Sequence, residues 1–199
     1  MSIKIINLRN KILTIFGDIK INKHFPWIPY YKPEGYKIKG KQTRDILNLC
    51  KPGDVFIRGF DNYLDGYFIG HWSHVALVVN SNEIMHALAE GVITEDLITF
   101  LRTDRIAIIR PKLEEEKLLR VIQKAESLMG MPYDFGFNFD SPKEMSCTEF
   151  VYCCFEEFAA ELFMKKSQIN ILFIKKNVIK PKSFLQFGGF SLIYFFERI

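Results

Sequence analysis

The sequence has no uninterrupted hydrophobic run long enough to cross a bilayer. Its longest uncharged apolar stretch, FLQFGGFSLIYFF (184–196), falls short of the roughly 20 residues a transmembrane helix needs and is broken by two glycines. No secretory leader is legible either. In MSIKIINLRNKILTIFGDIK the apolar residues are interrupted by Lys4, Arg9, Lys11 and Asp18, which leaves no adequate hydrophobic segment. A cytoplasmic protein is the expectation. Cysteine is scarce, four in 199 residues with no paired C-x-x-C, which excludes a secreted disulfide scaffold and a zinc-ribbon signature. Histidine is equally scarce. The H-x-x-H spelling of His71 and His74 puts the two rings on opposite faces of an extended chain, so no metal and no cofactor are expected. Internal repeats and low-complexity tracts are missing, which removes solenoid and disordered classes.

What is present is the composition of an ordinary globular protein, 48% hydrophobic and 25% charged, long enough to bury one core without staples. The net charge of +4 hides an asymmetry. Residues 1–50 form a basic arm with clustered aromatic residues (HFPWIPYYKPEGY, 24–36), and residues 51–199 form a mildly acidic body. Such an arm is either a solvated strap packed on the domain or a peripheral contact with an anionic membrane surface; a nucleic-acid partner is not expected.

Local patterns supply the elements. TRDILNLC (43–50) reads as a short helix, GDVFIRG (53–59) as a strand, and SHVALVV (73–79) with EIMHALAEGVI (83–93) as the two arms of a hairpin. TEDLITFLRT (94–103) begins like a helix capped by Thr94. RIAIIRP (105–111) is a strand. EEEKLLRVIQKAESLMG (114–130) is a helix whose apolar face runs through Leu118, Leu119, Ile122, Ala125, Leu128 and Met129. PYDFGFNFDSPKE (132–144) is irregular. A second helix opens at Ser146 and buries Phe150, Val151, Cys154, Phe155, Phe158 and Leu162. FSLIYFFE (190–197) is a closing strand. These blocks predict an α+β domain built on a mainly antiparallel sheet or small barrel.

Chemistry concentrates in EMSCTEFVYCCFEEF (144–158). Ser146 and Glu149 spell a capping box, so Cys147 occupies the first helical position, where unpaired N–H groups and the helix dipole favour a thiolate. Cys153 and Cys154 lie deeper and read as packing. A nucleophilic thiol needs a base, and His24, His71, His74 and His86 are the candidates. His74 and His86 lie in the two hairpin arms with equal parity, so both reach one face, one to take a proton and the other to orient it. Read as isolated residues, they serve equally well as packed strand histidines.

The words KPGDVFIRG, GHWSHVALVV, EIMHALAEGV, MGMPYDFGFNFDSPKEMSCTEFV and VIKPKSFLQFGGF together resemble the YiiX/YebB-like branch of the NlpC-type cysteine hydrolases. The lecithin:retinol acyltransferase-like proteins are similar more distantly. The resemblance runs from about Lys51 onward and implies a circularly permuted papain-like fold, with the cysteine helix after the histidine strands. It implies Cys147 as nucleophile, His74 as general base, His86 as the residue that orients the base, and Tyr133 as a donor to the oxyanion beside the Cys147 N–H. Ser146 stands where many relatives carry Tyr or Asp. The activity implied is a cysteine hydrolase acting through a thioester on a peptide, γ-glutamyl-type or acyl amide. A thiol acyltransferase using lipid-like substrates and an idle binding module of the same fold are the other readings.

Overall fold

The computed structural model describes residues 20–21, 29–30, 36–61, 71–136, 139, 143–171 and 174–197. Most of the basic arm, including His24 and the aromatic 24–36 stretch up to residue 35 apart from Pro29 and Tyr30, lies outside them, as do parts of the 132–144 segment. In chain order the elements are β1 (Lys20–Ile21), β2 (Pro29–Tyr30), α1 (Gly40–Leu49), β3 (Val55–Gly59), β4 (His74–Val78), β5 (Glu83–Leu88), β6 (Gly91–Asp96), α2 (Leu97–Phe100), β7 (Arg105–Pro111), α3 (Glu115–Ser127), α4 (Cys147–Phe155), β8 (Ser167–Ile171), β9 (Ile174–Val178) and β10 (Phe190–Glu197). Six strands form one antiparallel sheet in the order β10-β7-β3-β4-β5-β6, with β10 and β6 as its edges. The sheet is open, so of the two expected forms it is the sheet and not the barrel. No helix among the described residues is long and apolar enough to cross a membrane.

Alternation along the strands gives the sheet two buried faces. Val55, Ile57, Val75, Leu77, Met85 and Ala87 point to one side, where α3 and α4 pack through Val121, Ala125, Phe150, Val151 and Phe155. Phe56, Ala76, Val78, Ile84, Ile106 and Ile108 point to the other, covered by Ile38, Ile46 of α1, and Leu97 and Phe100 of α2. Central strands buried on both faces explain the near-continuous apolar runs of β4 and β7. Each fully buried Phe or Ile contributes about 1.5–3 kcal/mol, so the two helical layers supply most of the stabilisation.

The K-P-G-D entry is a structural device. Asp54 is fully buried, accepts from the Lys51 N–H at 2.8 Å, and takes a two-pronged ion pair from Arg110 at 2.7 and 2.8 Å. It therefore ties the turn before β3 to β7, two strands that also pair directly.

Three expectations change on contact with the structure. The 83–93 run is two strands and not one, because the chain turns at Ala89–Glu90. Gly91 at φ +110° permits that turn, and a Cβ there would sit 2.5 Å from the Met131 carbonyl oxygen. Thr94 caps no helix: pairing with β5 keeps Thr94–Asp96 extended, so Asp96 is the first residue free to cap, its Oδ1 accepting from the Ile98 and Thr99 N–H groups at 2.9 and 3.1 Å. The buried face of α3 runs through Val121 and Ala125, while Leu119 and Met129 are exposed, because α4 abuts only a narrow stripe of that helix. The β8–β9 hairpin had no counterpart in the sequence reading. The β4–β5 turn, β7 and β10 lie where the sequence put them, and α4 opens where expected but ends at Phe155, a 3-10 turn at Glu156–Phe158 replacing the helix expected to run on to Leu162.

Substituting Gly91 by Ala is expected to lower unfolding stability by about 1–3 kcal/mol through backbone strain, with the Met131 contact adding to it, measured as a shift of the urea midpoint at unchanged m-value.

Candidate active site

The site is built from the start of α4 and the open end of the β4–β5 pair. Ser146 is the N-cap: its N–H donates to Glu149 Oε2 at 2.5 Å, and its Oγ accepts the Glu149 N–H at 3.5 Å. Both residues are buried, and burial raises the Glu149 carboxyl pKa against the lowering effect of the Ser146 bonds. This box fixes Cys147 at the first helical position, as its spelling predicted. Just upstream, the Met145 N–H donates to the Pro132 carbonyl at 2.9 Å, clipping the segment that carries Tyr133 to the approach to Cys147.

β4 and β5 pair only at Leu77–Met85 and Val78–Ile84, although β4 begins at His74 and β5 runs to Leu88. The Val78 N–H points to β3, where it meets Asp54 O at 2.9 Å. By alternation the Val75 N–H points toward β5, beyond the last rung of that ladder. The Cys147 thiol lies near enough to the backbone of Val75 and of Thr148 for both to work against the rise that burial imposes on its pKa. The thiol thus meets the sheet at the residue following His74. It arrives from the α4 side.

The imidazoles belong to the opposite face. His74 Nε2 and His86 Nδ1 are 2.8 Å apart, with ring centroids 5.0 Å apart at 70°. His86 is fully buried and His74 nearly so. Phe100 walls both rings, at 5.9 and 5.4 Å between centroids. Arg58, directly across from His74 in the β3–β4 register, donates through Nη1 to the Phe100 carbonyl at 3.0 Å and lies 4.0 Å above the Phe100 ring. Glu95 on β6 closes the row, its Oε2 lying 3.6 Å from His86 Nε2 and 3.9 Å from Arg58 Nη1.

Burial, reinforced by the Arg58 guanidinium, holds His74 well below the usual histidine range and His86 down to about 3. Burial pushes the Cys147 thiol up to about 11. The sequence had pointed to a dipole-stabilised thiolate. The structure reverses that sign, because desolvation of a thiol buried under α4 outweighs the roughly half charge of a helix terminus. Thiol and imidazoles are therefore neutral at rest, and no hydrogen bond joins the thiol to either ring.

Of the residues singled out in the sequence, His74 and His86 are in direct contact and Cys147 meets the strand beside them. Tyr133 is half-buried, its ring 4.8 Å from that of Phe135. His71 is exposed. Cys154 is buried in the α4 core, Cys153 is half-buried, and all four cysteines are free. Arg58, Glu95 and Phe100 were missed. Arg58 was legible as a lone charge in an apolar strand. Glu95 was hidden because its stretch read as a helix start.

A cysteine on a helix N-terminus, meeting an antiparallel sheet that bears a histidine pair and precedes that helix in the chain, defines a permuted papain-like cysteine amidase. The chain belongs to the family described as permuted papain-like amidase enzymes, YaeF/YiiX, C92 family, whose model matches residues 49–194. It is a cysteine amidase or peptidase-like hydrolase at the level of that family. Among solved structures it is similar to yiiX from Escherichia coli O157:H7, described as a metalloprotein, at a TM-score of 0.63 and 16% identity over 75% of this chain and 99% of that one. No curated protein matches the chain. Among the described residues no group of three or more His, Cys, Asp or Glu is placed to hold a metal ion. The facing nitrogens of His74 and His86 are spent on each other.

The histidine shifts carry a sign. Both folded pKa values lie below the ordinary 6.5, so the unfolded chain binds protons first as pH falls. Stability that is full above about pH 6.5 is expected to drop by up to about 1.4 kcal/mol per pH unit per histidine on the way toward pH 3. Urea titrations at pH 7, 6 and 5 measure the slope, and a His74→Gln/His86→Gln double variant should flatten it.

Proposed function

We propose that the enzyme cleaves an amide bond, in a peptide, γ-glutamyl-type or acyl substrate, through a thioester on Cys147. The observation that carries this reading is the buried His74–His86 pair at the point where the Cys147 sulfur reaches the sheet. With Nε2 committed to His86, His74 has only Nδ1 left to take the thiol proton. The resting groups are neutral, so the proton moves as the sulfur attacks and not before it. Attack forms the C–S bond and a tetrahedral oxyanion. The Cys147 N–H and the Tyr133 hydroxyl are the donors proposed for that oxygen. Collapse expels the amine, which takes the proton from the His74 imidazolium, and His86 steadies that cation through the 2.8 Å contact. Water, deprotonated by His74, then cleaves the thioester and regenerates the thiol.

Exposure of the full chain to a library of amides and acyl lipids, followed by intact mass spectrometry, should show an acyl adduct that peptide mapping places on Cys147 and hydroxylamine removes. Cys147→Ala should abolish it. His74→Gln should slow its formation by about 10²–10⁴-fold, and Tyr133→Phe by about 10²-fold. An adduct that persists in Cys147→Ala would overturn the assignment.

A further inference from the structure

The contact between His74 Nε2 and His86 Nδ1 at 2.8 Å requires one proton between two nitrogens. Neutral rings allow two arrangements. In the first, His74 Nε2–H donates to the His86 Nδ1 lone pair; His86 then carries its proton on Nε2, and His74 Nδ1 has a free lone pair. In the second, His86 Nδ1–H donates to His74 Nε2; His74 then carries its proton on Nδ1 and cannot accept one from a thiol. The two-ring contact cannot choose between them. The atom that faces His86 Nε2 can.

That atom is Glu95 Oε2, 3.6 Å away, within about 0.6 Å of hydrogen-bond length. Neither His86 Nε2 nor Glu95 Oε2 has a hydrogen-bond partner among the described residues, and both atoms are buried. Their approach follows from register: Glu95 pairs with Ile84 and Ile93 with His86, so His86 and Glu95 lie diagonally on one face. A carboxylate at this position accepts an Nε2–H and repels an Nε2 lone pair. Burial raises the Glu95 carboxyl above its ordinary pKa, and Arg58 Nη1, 3.9 Å from the same oxygen, works against that rise.

We propose that Glu95 is a positioning residue that fixes His86 as the Nε2–H tautomer and thereby leaves His74 Nδ1 unprotonated, the state a base requires. The proposal deepens the reading of His74 as general base and rests on it for its catalytic meaning. Glu95 also lines the open depression formed by Asn80–Glu83 and Thr94–Asp96, so the row Arg58, His74, His86, Glu95 ends at the protein surface.

The test is tautomer assignment by long-range ¹H–¹⁵N correlation of the imidazoles in ¹⁵N-labelled full chain at pH 7.5. With four histidines in the chain, the rings can be assigned by single His→Gln variants. The expected wild-type result is Nε2–H on both His74 and His86, with His86 Nδ1 shifted as an acceptor. In Glu95→Gln the carboxamide offers Nε2 either an oxygen or an NH₂, so the His86 preference should be lost and a second set of signals should appear. Glu83→Gln, which changes a carboxylate in the same depression, should leave both tautomers unchanged. Nδ1–H on His86 in the wild type overturns the proposal without any variant. Unchanged tautomers in a folded Glu95→Gln, or the same shift in Glu83→Gln, overturn it as well. With a turnover substrate in hand, Glu95→Gln should lower kcat by about 10–100-fold with KM unchanged. The expected tautomers without any acyl adduct on Cys147 would defeat the proposed hydrolase chemistry and leave this assignment standing.

Discussion

Two imidazoles kept neutral inside an apolar sheet are the constraint on which the site depends. A charged ring has no place against Phe100 and the second core, so burial strips the pair of protons and the pair satisfies itself through one short contact. Arg58 intensifies this by standing across from His74. A buried polar atom left without a hydrogen bond is costly, and the remaining nitrogen of His86 stands unbonded among the described residues, facing Glu95 at 3.6 Å.

The same constraint explains why the Cys147 thiol and the imidazoles lie on opposite faces of the sheet. α4 needs a smooth apolar surface to bury Phe150, Val151 and Phe155, and Val75, Leu77 and Met85 provide it. The histidines cannot share that surface without interrupting it, so alternation sends them to the other side. Loss of pairing beyond Leu77–Met85 opens the sheet at the one place where Cys147 can reach backbone belonging to the histidine strand. The opening costs a few ladder hydrogen bonds, and the rigid remainder of the sheet, locked at Asp54–Arg110, fixes its position.

Much of this was legible in the sequence, and the reasons differ by residue. The capping box of Ser146 and Glu149 is a local pattern four residues long, so the position of Cys147 survived into three dimensions. His74 and His86 are joined by a short turn, and their equal parity was enough to bring them together. Glu95 was not legible, because an acid followed by Asp96 and an apolar run looks like the first turn of a helix until strand pairing is known. The buried stripe of α3 was also misplaced, since nothing local distinguishes Val121 from Leu119 until α4 packs beside them.

The sequence by itself determined the helix-start position of Cys147, the meeting of His74 with His86 and their order along the chain, because capping, alternation and turn formation act over a few residues. Only the tertiary structure decided the protonation states and the fourth polar member of the row. Those depend on desolvation and on contacts between β3, β4, β5 and β6, and neither burial nor register across separate strands is written in any short stretch of residues. Cys147 illustrates the division: its place at a helix N-terminus is local and argues for a thiolate, while its burial beneath α4 is global and argues, with greater weight, for a thiol.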